Sequence, residues 1–102
     1  MTEFEIIAVA NLEVINADEY RKYEKGFFPI LKKHNGSFIT FDDAPKHMEG
    51  GSPLKGRVIL FGFPTEEDAS NWFNDSEYQE LSKFRRDGTS THSITFTKVL
   101  KR

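Results

Sequence analysis

An α+β domain with the element order β, α, β, β, α, β is what the sequence predicts, and three observations predict it. Ile6 to Val9 and Val58 to Phe63 are apolar at successive positions, as strands buried on both faces are. Two other stretches carry apolar residues at helical spacing behind recognisable N-terminal caps. Strand-like segments stand before, between and after those stretches in the order that a split βαβ pattern requires. The 102 residues amount to one domain, 1–102, large enough for a thin core. Ten Phe, three Tyr and one Trp supply its bulk.

The first strand runs over Phe4 to Leu12, and its two-faced apolarity makes it a central strand. Asn16 and Glu19 mark a helix start, and Tyr20, Tyr23, Phe27 and Leu31 then share one helical face. Pro29 should kink that helix, with Gly26 giving it slack, and Asn35-Gly36 should end it. Ser37 to Phe41 alternates as a second strand does. Residues 42–56, rich in Gly, Pro and charge, form a long connection in which Lys46 to Glu49 could add a short strand. Gly56 to Phe63 is the third strand. Thr65 caps the next helix, whose first turn carries Glu66, Glu67 and Asp68 at the positive end of the helix dipole. Ala69, Trp72 and Phe73 form its apolar face. A break at Asn74-Asp75 precedes the capping box Ser76-Glu77-Tyr78-Gln79, which opens a further helical piece with Tyr78, Leu81 and Phe84 inward. Gly88 ends it, and His92 to Val99 is the last strand.

This order is ferredoxin-like: an antiparallel four-stranded sheet with its helices on one face. The other face then carries either Ile6, Ala8, Val58 and Leu60, or Ile7, Val9, Ile59 and Phe61. Leaving either set in water would expose a large apolar patch, so a second copy of the chain is the expected cover, giving a homodimer.

Several functions are excluded or disfavoured. The net charge is −2 and the basic residues are scattered, which argues against a nucleic-acid partner. The absence of Cys excludes disulfides, zinc fingers and thiol nucleophiles. No signal segment and no membrane-length apolar run are visible, so a cytoplasmic protein without a membrane partner is expected. His34, His47 and His92 have no metal-ligand spacing, and no phosphate-binding or nucleophile motif occurs, so neither metal nor cofactor is expected. His34, at a helix end, suits capping. Glu49, Asp42 and Asp43 are loop carboxylates with no sign of the desolvation a general base needs.

The residues that point to a site are aromatics with polar tips. Tyr20 and Tyr23 lie on the inward face of the first helix, Trp72 and Tyr78 on that of the second helical region, and Arg85 follows Tyr78 by seven positions on the same face. Either they are core edges, with hydroxyls and guanidinium at the rim, or they border a cleft between helices and sheet that holds a small anionic or aromatic ligand. Arg57, opening the third strand, could add a second positive group. The residues leave open whether such a protein is an enzyme. A binding module is one reading, and a cofactor-independent monooxygenase or isomerase is the other; no catalytic residue is identifiable.

Tyr20-Arg21-Lys22-Tyr23, the run Pro29 to Gly36, Glu49-Gly50, Phe63-Pro64, Ala69, and Ser76-Glu77-Tyr78-Gln79 with Leu81 and Arg85 together resemble the thirteen-thirty family of domains of unknown function. That resemblance covers nearly the whole chain. It implies a dimeric α+β barrel in which two ferredoxin-like protomers pack sheet to sheet, and it implies no reaction. The chain departs from the family pattern at Asn35-Gly36-Ser37, where the family has Gly-Gly followed by a basic residue.

Overall fold

A computed structural model describes residues 3–100. In chain order the elements are β1 (Ile6–Val14), α1 (Ala17–Lys33), β2 (Ser37–Asp42), β3 (Arg57–Phe63), α2 (Glu66–Asn74), α3 (Ser76–Gly88) and β4 (Thr89–Lys98). The strands form one antiparallel sheet in the order β2-β3-β1-β4, so the two doubly apolar strands are the central pair. The fold is the ferredoxin-like βαββαβ, its second helical region divided into α2 and α3. None of its helices is long and apolar enough to cross a membrane.

Register decides which side chains meet the helices. Ala8 pairs with Phe61 and Ile6 with Phe63, so the even residues of β1 share a face with the odd residues of β3. That corrects the expected grouping: Ile6 and Ala8 lie with Ile59 and Phe61 under the helices, whereas Ile7, Val9, Val58 and Leu60 share the opposite face. The helix side holds Ile6, Ala8, Ala10, Leu12, Phe61 and Phe63, all buried, packed on Tyr20, Tyr23, Phe27, Ile30 and Leu31 of α1 and on Trp72 and Tyr78.

The helices start and stop by the expected means, and three places stand out. Asn16 Oδ1 accepts from the Glu19 amide (3.3 Å) and Thr65 Oγ1 from the Asp68 amide (3.0 Å). At the end of α1, Asn35 takes the left-handed conformation (φ 62°), and the Gly36 amide donates to Leu31 O. The first is Pro29, which lies inside α1 with the helix running on to Lys33. Gly26 serves a close approach: a Cβ there would come within 2.7 Å of the Leu81 side chain on α3. The second is the cap of α3, which is Asp75 and not Ser76. Asp75 Oδ1 accepts from the Glu77 amide at 2.8 Å, and Gln79 turns its Nε2 to Phe73 O. A carboxylate is the stronger acceptor at a helix N-terminus. Third, Lys46 to Glu49 form no strand; the connection lies open between the edge strand β2 and its return into β3.

Asp75 also joins elements. Its Oδ2 accepts from His34 Nε2 at 2.7 Å and Lys33 Nζ at 3.0 Å, tying the end of α1 to the α2–α3 junction. An ionised carboxylate only accepts, so His34 Nε2 carries the proton. The His34 ring, then Lys33 and the Glu77 amide, hold the Asp75 carboxyl well below the usual carboxylate range. A carboxyl depressed in the folded state stabilises fully above its unfolded pKa, near about 4, and that contribution is lost as the pH falls through the folded value. Asp75→Ala is therefore expected to lower the denaturation midpoint at pH 7 and to flatten its fall below about pH 4. Parallel acid limbs in urea titrations of the two proteins would rule the linkage out.

Candidate functional site

Between α1 and the sheet lies a cavity of about 180 Å³. Sheet order explains its course. Ile94 on β4, Ala10 and Leu12 on β1, Ile59 and Phe61 on β3, and Phe38 and Phe41 on β2 all face it, so it runs beneath α1 across all four strands. Small Ala10, opposite Ile59 in the register, leaves room at its floor. From above, α1 contributes Tyr20, Tyr23, Phe27 and Phe28, and α3 contributes Tyr78 and Arg85.

The inner end is the β4 side. Tyr78 is fully buried and Arg85 is only 5% exposed. The Tyr23 and Tyr78 hydroxyls lie 2.7 Å apart, one donating to the other. Burial, and then the neighbouring Tyr78, push the Tyr23 phenol well above its ordinary value, so it stays neutral at any physiological pH. Arg85 Nη1 donates to Thr91 Oγ1 at 3.0 Å, and its guanidinium carbon lies 5.7 Å from the centre of the Tyr23 ring. Thr91 is itself within 2.9 Å of Thr89 Oγ1, which donates to Arg85 O. Arg85 Nε is buried without a hydrogen-bond partner. Among the described residues no carboxylate lies within ion-pair distance of Arg85.

The outer end has a different electrostatic character. Arg57 Nε donates to Asp43 Oδ1 at 2.6 Å and Nη2 to Oδ2 at 3.3 Å, while Nη1 reaches Glu24 Oε2 at 3.2 Å. The guanidinium also sits 4.5 Å from the Phe41 ring centre and 5.7 Å from that of Tyr20. These contacts keep the Asp43 carboxyl below its usual range. Burial raises the Tyr20 phenol against an opposing pull from Arg57. Arg57 thus has its charge matched, and Arg85 does not.

Of the six residues singled out in the sequence, five line the cavity: Tyr20, Tyr23, Arg57, Tyr78 and Arg85. Trp72 does not; its ring lies in the core, its centre 4.1 Å from that of Tyr78 and the planes tilted by 37°. Three aromatic wall residues escaped sequence reasoning. Phe28 lies off the apolar stripe of α1, and an exposed Phe there was the available signal. Phe38 and Phe41 stand three apart, a spacing that puts residues of a regular strand on opposite faces. A bulge at Ile39 takes up one position, so Phe38 faces Phe61 while Phe41 faces Ile59, and both reach the cavity. His34 and His92 pair with Asp75 and Glu13, and His47 with Gly50 O. Among the described residues no three His, Asp or Glu converge as a metal site.

The hydroxyl pair gives a direct check on the inner wall. Tyr23→Phe or Tyr78→Phe alone leaves one buried hydroxyl without its partner and should destabilise by about 1–3 kcal/mol. The double replacement removes both and should come out less destabilised than the sum by at least about 0.5 kcal/mol, readable in a urea double-mutant cycle.

The chain matches the family described as a domain of unknown function (DUF1330) over residues 6–99. No curated protein matches it. Among solved structures, a protein of unknown function from Rhodopseudomonas palustris is similar, with a TM-score of 0.76 and 16% identity over 99% of this chain and 86% of that one. SnoaB, a cofactor-independent oxygenase from Streptomyces nogalater, has a TM-score of 0.65 at 7% identity, covering 98% of this chain and 97% of its own. A Burkholderia xenovorans protein with a NIPSNAP-like domain has a TM-score of 0.53 at 13% identity, over 98% and 88% of the two chains. At these identities the likeness is one of fold.

Proposed function

The chain belongs to the family described as a domain of unknown function (DUF1330), and from that premise we propose that it is a homodimeric module binding a small organic acid in the cavity beneath α1. One observation carries this reading: a buried guanidinium with no counter-anion forms part of the wall of an otherwise aromatic cavity. A buried cation without a partner is expensive to keep, and an anionic ligand offsets that cost in the bound state. The aromatic lining with few polar groups is how small-molecule sites are built. Tyr23 and Tyr78 hydroxyls stand ready at the same end to orient the ligand.

The dimer reading rests on the face away from the helices. Ile7, Val9, Val58 and Leu60 are only half-buried there, between rows of exposed Thr40, Ser93, Thr95 and Thr97. A second copy packed on that face would bury at least about 1,200 Å² in total. Light scattering is expected to give twice the chain's mass at micromolar concentration; a monomer would end this part of the reading.

The ligand test is a thermal-shift panel of small aromatic and aliphatic acids with their amides as neutral controls. An acid present at a hundredfold excess over its Kd adds about 2.7 kcal/mol of stability, a shift of many degrees in a domain of this size. Arg85→Gln should abolish that shift. If no acid stabilises the wild-type protein, or if Arg85→Gln responds equally, the acid-binding reading fails.

A catalytic role on the same site is the second reading. It is favoured by the hydrogen-bonded Tyr23–Tyr78 hydroxyls beside Arg85, donors next to a cation, and by the fold shared with a cofactor-independent oxygenase. Oxygen uptake on adding an acid that binds would support it, and binding without turnover or uptake would leave the module reading alone.

A further inference from the structure

We propose that the cavity takes its ligand acid end first. The ligand is a monocarboxylate whose charged group lies inside on Arg85 and whose apolar end leaves over the rings of Phe28, Phe38 and Phe41. The inference rests on the acid-binding reading above and adds an orientation and a shape. Neighbouring strands lie about 4.8 Å apart, so a path from β4 to β2 beneath α1 is roughly 14 Å long. Its two ends differ in exposure and in charge. Arg85 is 5% exposed at the β4 end, whereas Phe28 is 52%, Phe41 50% and Phe38 38% exposed at the β2 edge. Among the described residues lining the cavity, the one cation without a carboxylate partner is therefore deep, and the mouth is rimmed by wet aromatic rings in contact, Phe28 with Phe38 at 5.5 Å and Phe38 with Phe41 at 6.3 Å.

Charge at the mouth argues the same way. Arg57 there is already held by two carboxylates, Asp43 and Glu24, so a ligand carboxylate left outside would have to compete with them for it. An amphipathic acid ordinarily keeps its charge in water; here the positions are inverted. Size sets the rest. An apolar cavity of about 150 Å³ is enough to take up benzene, so about 180 Å³ holds one ring. A longer acid has no further room inward and must extend across the exposed rings, which are then removed from water by it.

Isothermal titration with benzoate, 4-phenylbenzoate, 2-phenylbenzoate and 4-phenylbenzamide tests this. The expected result is that 4-phenylbenzoate binds at least about tenfold more tightly than benzoate, the gain for a ring half-buried on the rim. The 2-isomer, whose second ring points into the cavity wall, should gain nothing, and the amide should bind weakly. Phe28→Ala, at an exposed position on α1, should narrow the ratio between the 4-phenyl acid and benzoate. If benzoate binds but extension at the 4-position brings no gain, or the 2-isomer gains as much, the orientation is wrong while acid binding stands. If none of the acids binds, the orientation and the acid-binding reading fall together.

Discussion

Arg85→Met is expected to make the unliganded protein more stable, raising the melting temperature by roughly 5–10 °C, while abolishing acid binding. A natural core residue seldom behaves so. Methionine keeps most of the volume and removes a charge that has lost its water, with one hydrogen bond to Thr91 and a ring face of Tyr23 as its recorded compensation. The effective penalty for burying an unpaired ion is several kcal/mol, whereas a hydrogen bond to a charged group returns about 1.5–3 kcal/mol and a cation–π contact about 0.5–2. The balance favours the apolar side chain by about 1–2 kcal/mol. Thr91 loses its donor without being orphaned, because Thr89 remains within 2.9 Å. Calorimetry of the two proteins without ligand settles it. A large fall in melting temperature would mean that Arg85 holds the structure together and is not a reserved charge.

Trp72→Ala is expected to cost about 3–5 kcal/mol and to leave much of the chain unfolded at 37 °C, since domains of this size hold only about 5–15 kcal/mol in total. Trp72 is fully buried and touches ring systems from four elements: Phe27 of α1, Phe61 and Phe63 of β3, Tyr78 of α3 and Phe96 of β4. No neighbour can collapse into that space without breaking another contact. Trp72→Phe should be far milder, within about 1 kcal/mol, because the indole Nε1 is buried with no partner and its removal offsets part of the lost packing. Urea denaturation of the pair distinguishes the two. Similar losses for Phe and Ala would mean the indole nitrogen has a partner after all, such as a buried water.

The topology was legible because its signals are local and agree with one another. The run Ile6 to Val9 needed no neighbour to be read as a central strand, and Asn16 and Thr65 cap where helical periodicity begins. Register was not legible. Whether Ile6 or Ile7 meets the helices depends on which residue of β3 lies opposite, a fact that no single strand contains. The site divides along the same line. Tyr20, Tyr23, Tyr78 and Arg85 were visible as polar-tipped residues on inward helical faces, since a helical stripe has a direction that can be counted. What could not be counted was depth: a rim and a cleft were both open for Arg85, and it lies 5% exposed. Arg57 looked equivalent to Arg85 until Asp43 and Glu24, 14 and 33 residues away in sequence, turned out to hold it.

The bulge at Ile39 makes changes along this stretch of chain unequal in consequence. The connection between β2 and β3 can gain or lose residues beyond Asp43 at little energetic cost, since closure of a loop depends only weakly on its length. Straightening β2 with all its residues kept is another matter. Without the bulge but at unchanged length, Phe38 and Phe41 return to strict alternation and one of them swings to the far side of the sheet, removing a wall of the cavity while the sheet and its core persist. A one-codon deletion of Ile39 spares that wall, because it leaves the two rings two positions apart and so on one face of a regular strand, and a sequence aligned with a gap at position 39 keeps both.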